Sequence, residues 1–307
     1  MINQSLRQLQ NQMETIIRGK TDAIKMAIVT LLGKGHLLIE DIPGVGKTTL
    51  ASALAKSTEC SFRRIQFTSD LLPTDIIGVT IFNQETRDFE FRQGPVFSNI
   101  VLADEINRTN PKTQSALLEA MSEKKVSVER HTFVLPDPFM VIATQNPIEY
   151  HGTFPLPESQ LDRFMLHITI GYPSPEYERQ AILTQSSFAL LEDLGAVVSR
   201  QEIVRMQDEA EKVFTDDSVV DYLMQIIAAT RSYPAIRLGA STRGAQFFLS
   251  AVKAHAYYEG RDFISPDDVK ALAPLVLGHR IILKNRTAVA EAELIIRDIV
   301  DTLPVPV

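Results

Sequence analysis

The sequence predicts an α/β chain with a parallel sheet, followed by a second domain built of helices. Three observations predict it. Residues 36–50 (HLLIEDIPGVGKTTL) read as an apolar strand, a tight glycine turn and a helix start. Residues 100–105 (IVLADE) read as another apolar strand that ends in paired carboxylates, and from Tyr172 onward strand patterning gives way to helical periodicity. With 307 residues and 45% apolar content, the chain can bury a core for two domains, or for one large domain with a satellite.

The chain up to residue 32 reads as helical. Arg18-Gly19 breaks it, and the helix after the break sets Ile24, Ala27, Ile28 and Leu31 on one face. Residues 37–40 form the strand that feeds the glycine turn. Around Gly44, Val45 and Gly46, backbone N–H groups can wrap an anion because glycine leaves the approach open, and the helix over 47–56 turns its positive end toward the same anion. Lys47 adds a full charge, Thr48 is placed to offer its hydroxyl to Mg2+, and Thr49 follows in the same helix start. The stretch reads as a nucleotide phosphate cradle. The generic pattern has a glycine five residues before the Gly-Lys pair; Asp41 stands there instead, a departure that bears on affinity and leaves the cradle intact.

Residues 61–68 (SFRRIQFT) read as a buried-type strand. An insertion over about 68–98 follows, in which 80–82 and 89–92 are the arms of a hairpin around the polar 83–88. The strand over 100–105 then delivers Asp104 and Glu105 to its carboxyl end, where open α/β sheets place their ligands. Asp104 suits the Mg2+ shell, and Glu105 suits orienting and deprotonating a water. Asn110 caps a helix with Pro111 at its first position and Ala116, Leu117, Ala120 and Met121 on its buried face. A second insertion, about 122–138, carries the alternating stretch 124–135. The strand over 139–144 ends at Gln145-Asn146-Pro147, where the Asn146 amide can hold the attacking water; the same residue also suits a turn before proline.

Residues 161–164 (LDRF) close a short helix, 167–170 form the last strand, and the first domain, 1–171, ends there. The second domain, 172–307, reads as all-helical, with helices over 175–183, 203–213, 217–229, 243–257 and 266–277. In it Arg243 occupies the first turn of a helix capped by Ser241 or Thr242, where the dipole disfavours a cation, so it reads as facing an anion or a surface carboxylate.

Composition narrows the chemistry. Cys60 is the single cysteine, which excludes intramolecular disulfides and cysteine zinc sites, and the histidines show neither HxxxH nor HExxH spacing. No apolar run approaches the roughly eighteen residues that span a bilayer, and the opening MINQSLRQLQNQMETII lacks the basic and apolar regions of a signal; a cytoplasmic protein is expected. A net charge of −7 with scattered basic residues argues against a nucleic-acid footprint, with Lys112, Lys124, Lys125 and Arg130 as the one candidate patch.

PGVGKTT, FRQGPVFSN, IVLADEINRTNPKTQSALLEAM, VIATQNP, FPLPESQLDRF and STR together resemble the MoxR family of AAA+ ATPases over nearly the whole chain, most specifically across residues 103–121. The resemblance implies an αβα P-loop nucleotide domain followed by a helical-bundle lid, assembled as a ring, usually a hexamer, with ATP and Mg2+ between subunits. By matching position it implies Lys47 and Thr48 as the Walker A residues for phosphate and Mg2+, and Asp104 and Glu105 as Walker B. It implies Asn146 as sensor 1, Arg163 as an arginine finger reaching a neighbour's γ-phosphate, Arg243 as sensor 2, and Ile17 and Gly19 at the adenine. For Arg163 the plainer alternative is a helix salt bridge with Asp162 or Glu158.

The leading expectation is an ATP-driven chaperone or remodelling factor that moves its two hairpins against a client. The resemblance adds partners with von Willebrand A domains, and roles in metal insertion or maturation of enzyme complexes. A magnesium-chelatase-like subunit is a narrower variant. Two further classes stay open: a nucleic-acid motor of helicase or branch-migration type, and a regulatory module that binds ATP with negligible turnover, for which Glu105, Asn146 and Arg163 would be needless.

Overall fold

Two helices open the computed structural model, which describes residues 3–129, 131–147, 153–183, 187–285 and 289–306. In α1 (Gln4–Ile16), Asn3 caps the first turn by accepting from the Ser5 N–H at 3.0 Å, and the spacing of Leu6, Leu9 and Met13 buries one stripe. In α2 (Thr21–Leu32), nine of twelve residues are buried, so this helix is covered all round rather than on one face.

The alternation that follows is the one the sequence predicts, with two short additions. Strand β1 (Leu37–Glu40) feeds the glycine turn and α3 (Lys47–Ser57); β2 (Phe62–Gln66) leads to a short helix α4 (Pro73–Ile77). The first hairpin is β3 (Gly78–Asn83) and β4 (Asp88–Gln93), antiparallel with Phe82 opposite Phe89. Strand β5 (Ile100–Asp104), a 3-10 turn over Ile106–Arg108 and α5 (Pro111–Glu123) follow, the Asn110 side chain accepting from the Thr113 N–H at 3.1 Å. The second hairpin, β6 (Lys125–Val128) and β7 (His131–Val134), precedes β8 (Met140–Gln145), α6 (Glu158–Leu161) and β9 (Leu166–Ile168). Phe91 of the first hairpin stacks on Phe133 of the second, centroids 4.5 Å apart, so the two projections lean on one another.

Five strands make one sheet in the order β2-β5-β8-β1-β9, every neighbouring pair parallel. All carboxyl ends therefore face one edge and all amino ends the other. Strands β5 and β8 lie inside and are almost wholly buried, whereas β2, expected as a buried-type strand, is an edge strand with Arg63, Arg64 and Gln66 exposed. Its paired arginines are the sequence signal for that position.

The remaining chain forms α7 (Pro175–Leu183), α8 (Ser187–Glu192), α9 (Arg200–Glu211), α10 (Asp217–Ser232), β10 (Ile236–Leu238), α11 (Thr242–Tyr258), α12 (Pro266–Leu277), β11 (Ile282–Leu283) and α13 (Val289–Thr302). The all-helical expectation needs one correction: β10 and β11 pair antiparallel. At two or three residues, these strands are too short to show a period of two in the sequence.

The C-terminal helices pack directly onto one face of the sheet and its N-terminal helices. Leu6, Ile24, Ile28 and Leu54 share one continuous core with Ile203, Tyr222, Phe248 and Ile296, while the opposite sheet face has its own core around Phe67, Val101, Leu117 and Phe164. The all-round burial of α2 follows, because α1, β9, α9 and α11 all pack against it.

Candidate functional site

The carboxyl edge of the sheet carries a cleft of about 360 Å3 lined by Pro43, Gly44, Gly46, Lys47, Thr48, Thr49, Arg64, Gln66, Asp104 and Glu105. Gly44 and Gly46 have φ of +87° and +94°, and a Cβ on either would stand in open space. Glycine is needed there for the backbone conformation, and the room in front of it is what an anion held by backbone N–H groups requires. Val45 packs its side chain against the core and does not line the cleft. Lys47 is the first residue of α3; its ammonium donates to the Asp41 carbonyl at 2.6 Å. Burial pushes that ammonium below its usual pKa, against the opposing pull of Asp104, Asp41 and Glu105.

Asp41 has a structural task. Its carboxylate accepts from the N–H groups of Ile170 and Gly171, each at 2.6 Å, and from that of Ile42 at 2.8 Å. It thereby ties the start of the phosphate turn to the chain just after β9, and its departure from the generic glycine is a brace rather than a defect in the cradle.

The two carboxylates after β5 are held differently. Asp104 accepts from the Thr144 hydroxyl at 2.6 Å on one oxygen, and from Arg64 Nη2 at 2.6 Å and Nε at 3.0 Å on the other. Glu105 leaves the strand in a left-handed conformation (φ +58°), its N–H donating to the same Thr144 hydroxyl at 2.8 Å. Its carboxylate accepts from Gln66 Nε2 at 2.8 Å and lies 3.2 Å from Arg108 Nε. Arg64, Gln66, Arg108 and Thr144 were not singled out from the sequence. Period-two alternation places Arg64 and Gln66 on one face of β2, level with Leu102 and Asp104 of β5.

Asn146 is buried at the end of β8, on this same edge, where the Asp41 N–H donates to the carbonyl of the preceding Gln145. Ile17 is buried at the end of α1, and Gly19 (φ +70°) has the Tyr177 ring against it, so close that a Cβ would fall 2.5 Å from the ring. Lys20 donates to the carbonyls of Ile170 at 2.7 Å and Tyr172 at 2.6 Å, which sets the Ile17–Gly19 turn beside the end of β9. Tyr177 is a ring the sequence reading did not assign to this corner.

Arg163 and Arg243 lie at the other edge. Arg163 precedes β9, whose first residue Leu166 is level with Leu37 at the start of β1, and the Met165 N–H donates to the His36 carbonyl at 2.7 Å. At about 3.3 Å per residue, β1 and the turn after it separate this edge from Lys47 by more than an arginine side chain spans. The Arg163 guanidinium donates to the Leu118 carbonyl at 2.6 Å and to the Ser122 hydroxyl, on α5, so the expected alternative of a bridge to Asp162 or Glu158 is replaced by a helix-end contact. Asp162 instead pairs with Arg280 and accepts from Ser241. Ser241, not Thr242, caps α11, and Arg243 in its first turn is exposed.

The candidate basic patch does not assemble. Lys112 and Lys124 stand at opposite ends of α5, about 18 Å apart at 1.5 Å per residue, with Glu119 and Glu123 exposed between them; Arg130 lies outside the described residues. Among the described residues no cluster of three or more His, Cys, Asp or Glu could hold a metal, and no helix is long and apolar enough to cross a membrane.

Comparison with known proteins agrees with this fold. Residues 36–166 match the ATPase family associated with various cellular activities (AAA), and residues 228–301 match an AAA lid domain. The chain is 48% identical to the uncharacterized protein YeaC of Bacillus subtilis, over 95% of this chain and 92% of that one. It is 40% identical to the chaperone MoxR1 of Mycobacterium tuberculosis, over 96% and 81%. A crystal structure from Cytophaga hutchinsonii, described as a candidate ATPase, superposes with a TM-score of 0.85 at 37% identity, covering 98% of this chain and 97% of that one.

Proposed function

The chain belongs to the MoxR family of AAA+ ATPases, and from that premise we propose that it works as a ring in which neighbours share each ATP site. The carboxyl edge of one subunit holds the nucleotide, and the amino edge of the next completes the site with its arginines.

In this reading Lys47 and the backbone N–H groups of residues 44–49 hold the phosphates at the positive end of α3. The Thr48 hydroxyl and Asp104 hold Mg2+, which neutralises charge on the phosphoryl oxygens. Glu105 orients and deprotonates the attacking water, and Asn146 fixes that water against the γ-phosphate. Ile17, Gly19 and the Tyr177 ring form the face for adenine. Arg163 and Arg243 supply positive charge from the neighbouring subunit.

The observation that carries this reading is the separation of the two edges. Arg163 stands at the amino end of β9, and the Ser241–Asp162 bond sets the start of α11, with Arg243, beside it, away from their own phosphate turn; serving their own nucleotide would need a rearrangement. A site assembled from two copies uses both without one.

Hydrolysis then drives the paired hairpins, whose Phe82, Phe89 and Val134 side chains are exposed, against a client protein in the cytoplasm. Family likeness supports a von Willebrand A partner and work on metal insertion or complex maturation as the reading for its client. The overall net charge of −7, with Glu119 and Glu123 exposed between Lys112 and Lys124, disfavours the nucleic-acid motor.

ATPase rate per subunit against protein concentration, with and without Mg2+, tests the shared site. Specific activity is expected to climb with concentration, and Arg163→Ala to lose on the order of a thousandfold while still binding ATP. Concentration-independent turnover by a monomer, or an Arg163→Ala variant of normal rate, overturns the reading.

A further inference from the structure

Arg280 is deeply buried beside the amino edge, its side chain only 1% exposed. It follows α12 and reaches back across the junction with the sheet. Its Nε donates to Asp162 Oδ1 at 3.0 Å, and its Nη atoms donate to the carbonyls of Met165 at 3.2 Å, Phe164 and Val276. The guanidinium also lies over the Phe247 ring of α11, 5.3 Å from its centroid. Four of these contacts thus fall on α11 and on the few residues that flank Arg163.

The second Asp162 oxygen completes the arrangement. It accepts from the Ser241 hydroxyl at 2.9 Å, while that hydroxyl accepts from the Gly244 N–H at 2.9 Å as the cap of α11. Arg243 sits between those two residues. Gly244 leaves the room that Arg280 needs, since a Cβ there would meet Arg280 Cδ at 3.0 Å. One carboxylate therefore joins the loop bearing Arg163 to the helix start bearing Arg243, and one buried guanidinium holds both from behind.

We propose that Arg280, acting through Asp162, is the positioning residue that presents Arg163 and Arg243 as a fixed pair to the neighbouring subunit. This rests on the shared-site reading above. It assigns no contact with nucleotide to either Arg280 or Asp162. A planar fork with several donors suits the task, because it fixes direction as well as charge, which an ammonium would not.

The test uses rings of full-length Asp162→Asn and Arg280→Lys beside Arg163→Ala and Lys47→Ala, with fluorescent ATP-analogue binding and ATPase measured on the same samples. Asp162→Asn is expected to lower kcat about ten- to a hundredfold, as small misplacements of reacting charge do, with analogue affinity within about twofold of wild type. Arg280→Lys is expected to fall between it and wild type. Mixing Asp162→Asn with Lys47→Ala subunits should yield more activity than the two alone, because intact amino edges then face intact phosphate turns.

A subunit that is merely misfolded gains nothing from such mixing and binds the analogue poorly; either result for Asp162→Asn overturns the proposal. So does a kcat within twofold of wild type while Arg163→Ala is inactive, an outcome that leaves the shared site standing. An active Arg163→Ala removes the shared site itself, and the proposal with it. Asp162→Asn changes a partly exposed side chain and keeps the test available should Arg280→Lys fail to fold.

Discussion

The two edges of one sheet meet charge by different means. At the carboxyl edge the phosphate turn itself is built by neighbours in sequence, residues 41–49, through backbone conformation and a helix start. At the amino edge it is done by side chains from distant parts of the chain, with Asp162 joined to Ser241 and Arg280 across the junction between the sheet and the C-terminal helices. A ligand the chain wraps for itself can be gripped by local geometry. Charge offered outward to another molecule has to be propped from behind, and the props can come from anywhere in the fold.

Glu105 gives the sharpest way to break that comparison. Glu105→Gln should lose at least about a hundredfold in turnover yet keep nucleotide binding, because the cradle is built by residues 44–49 and not by this carboxylate. Hydrolysis and binding titrations on one preparation decide it; loss of binding alongside turnover would make Glu105 part of the cradle. Asp41 tests the bracing of the same edge. With three backbone N–H donors orphaned, Asp41→Ala should cost about 2–3 kcal/mol in urea unfolding, and a change below about 0.5 kcal/mol would remove its structural role.

The smallest effect belongs between the edges, at His167 of β9. Its Nε2 lies 3.1 Å from Glu40 of β1 and its Nδ1 3.5 Å from Glu293 of α13, with the His279 ring 5.8 Å away. Burial works against the charged form, but the two carboxylates prevail and raise its pKa above 6.5, whereas burial, Arg280 and His167 itself push His279 well below. A raised histidine stabilises the fold fully below pH 6.5 and loses that contribution as pH rises through the folded-state value. The unfolding free energy of wild type minus His167→Gln should therefore shrink between pH 6 and pH 9, no more steeply than about 1.4 kcal/mol per pH unit. A difference that grows over this range would mean His167 is buried neutral.

How much the sequence disclosed follows the same division. Strand, turn, helix and the paired carboxylates are legible because apolar period, glycine and Asp104-Glu105 lie side by side. The Asn110 helix start is legible for the same reason. Arg64, placed on Asp104 by strand pairing, and Tyr177, placed on Gly19 by the return of α7, were hidden, since only the fold brings them near. Asp162 was read as a neighbour for Arg163, but its partner is 118 residues away. The C-terminal helices were read as separate because their own periodicity is complete; that they cover α2 is visible only in the burial of nine residues on every side of that helix.

Asp41 also leaves a trace that can be read in solution. Its carboxylate covers the amide protons of Ile170 and Gly171, which sit at the end of a three-residue edge strand where protection would otherwise be slight. Those two protons form a native gauge of the phosphate turn: whatever displaces Asp41 opens them to deuterium, and whatever stiffens the turn slows their exchange. The gauge sits where the chain leaves the sheet for its C-terminal helices.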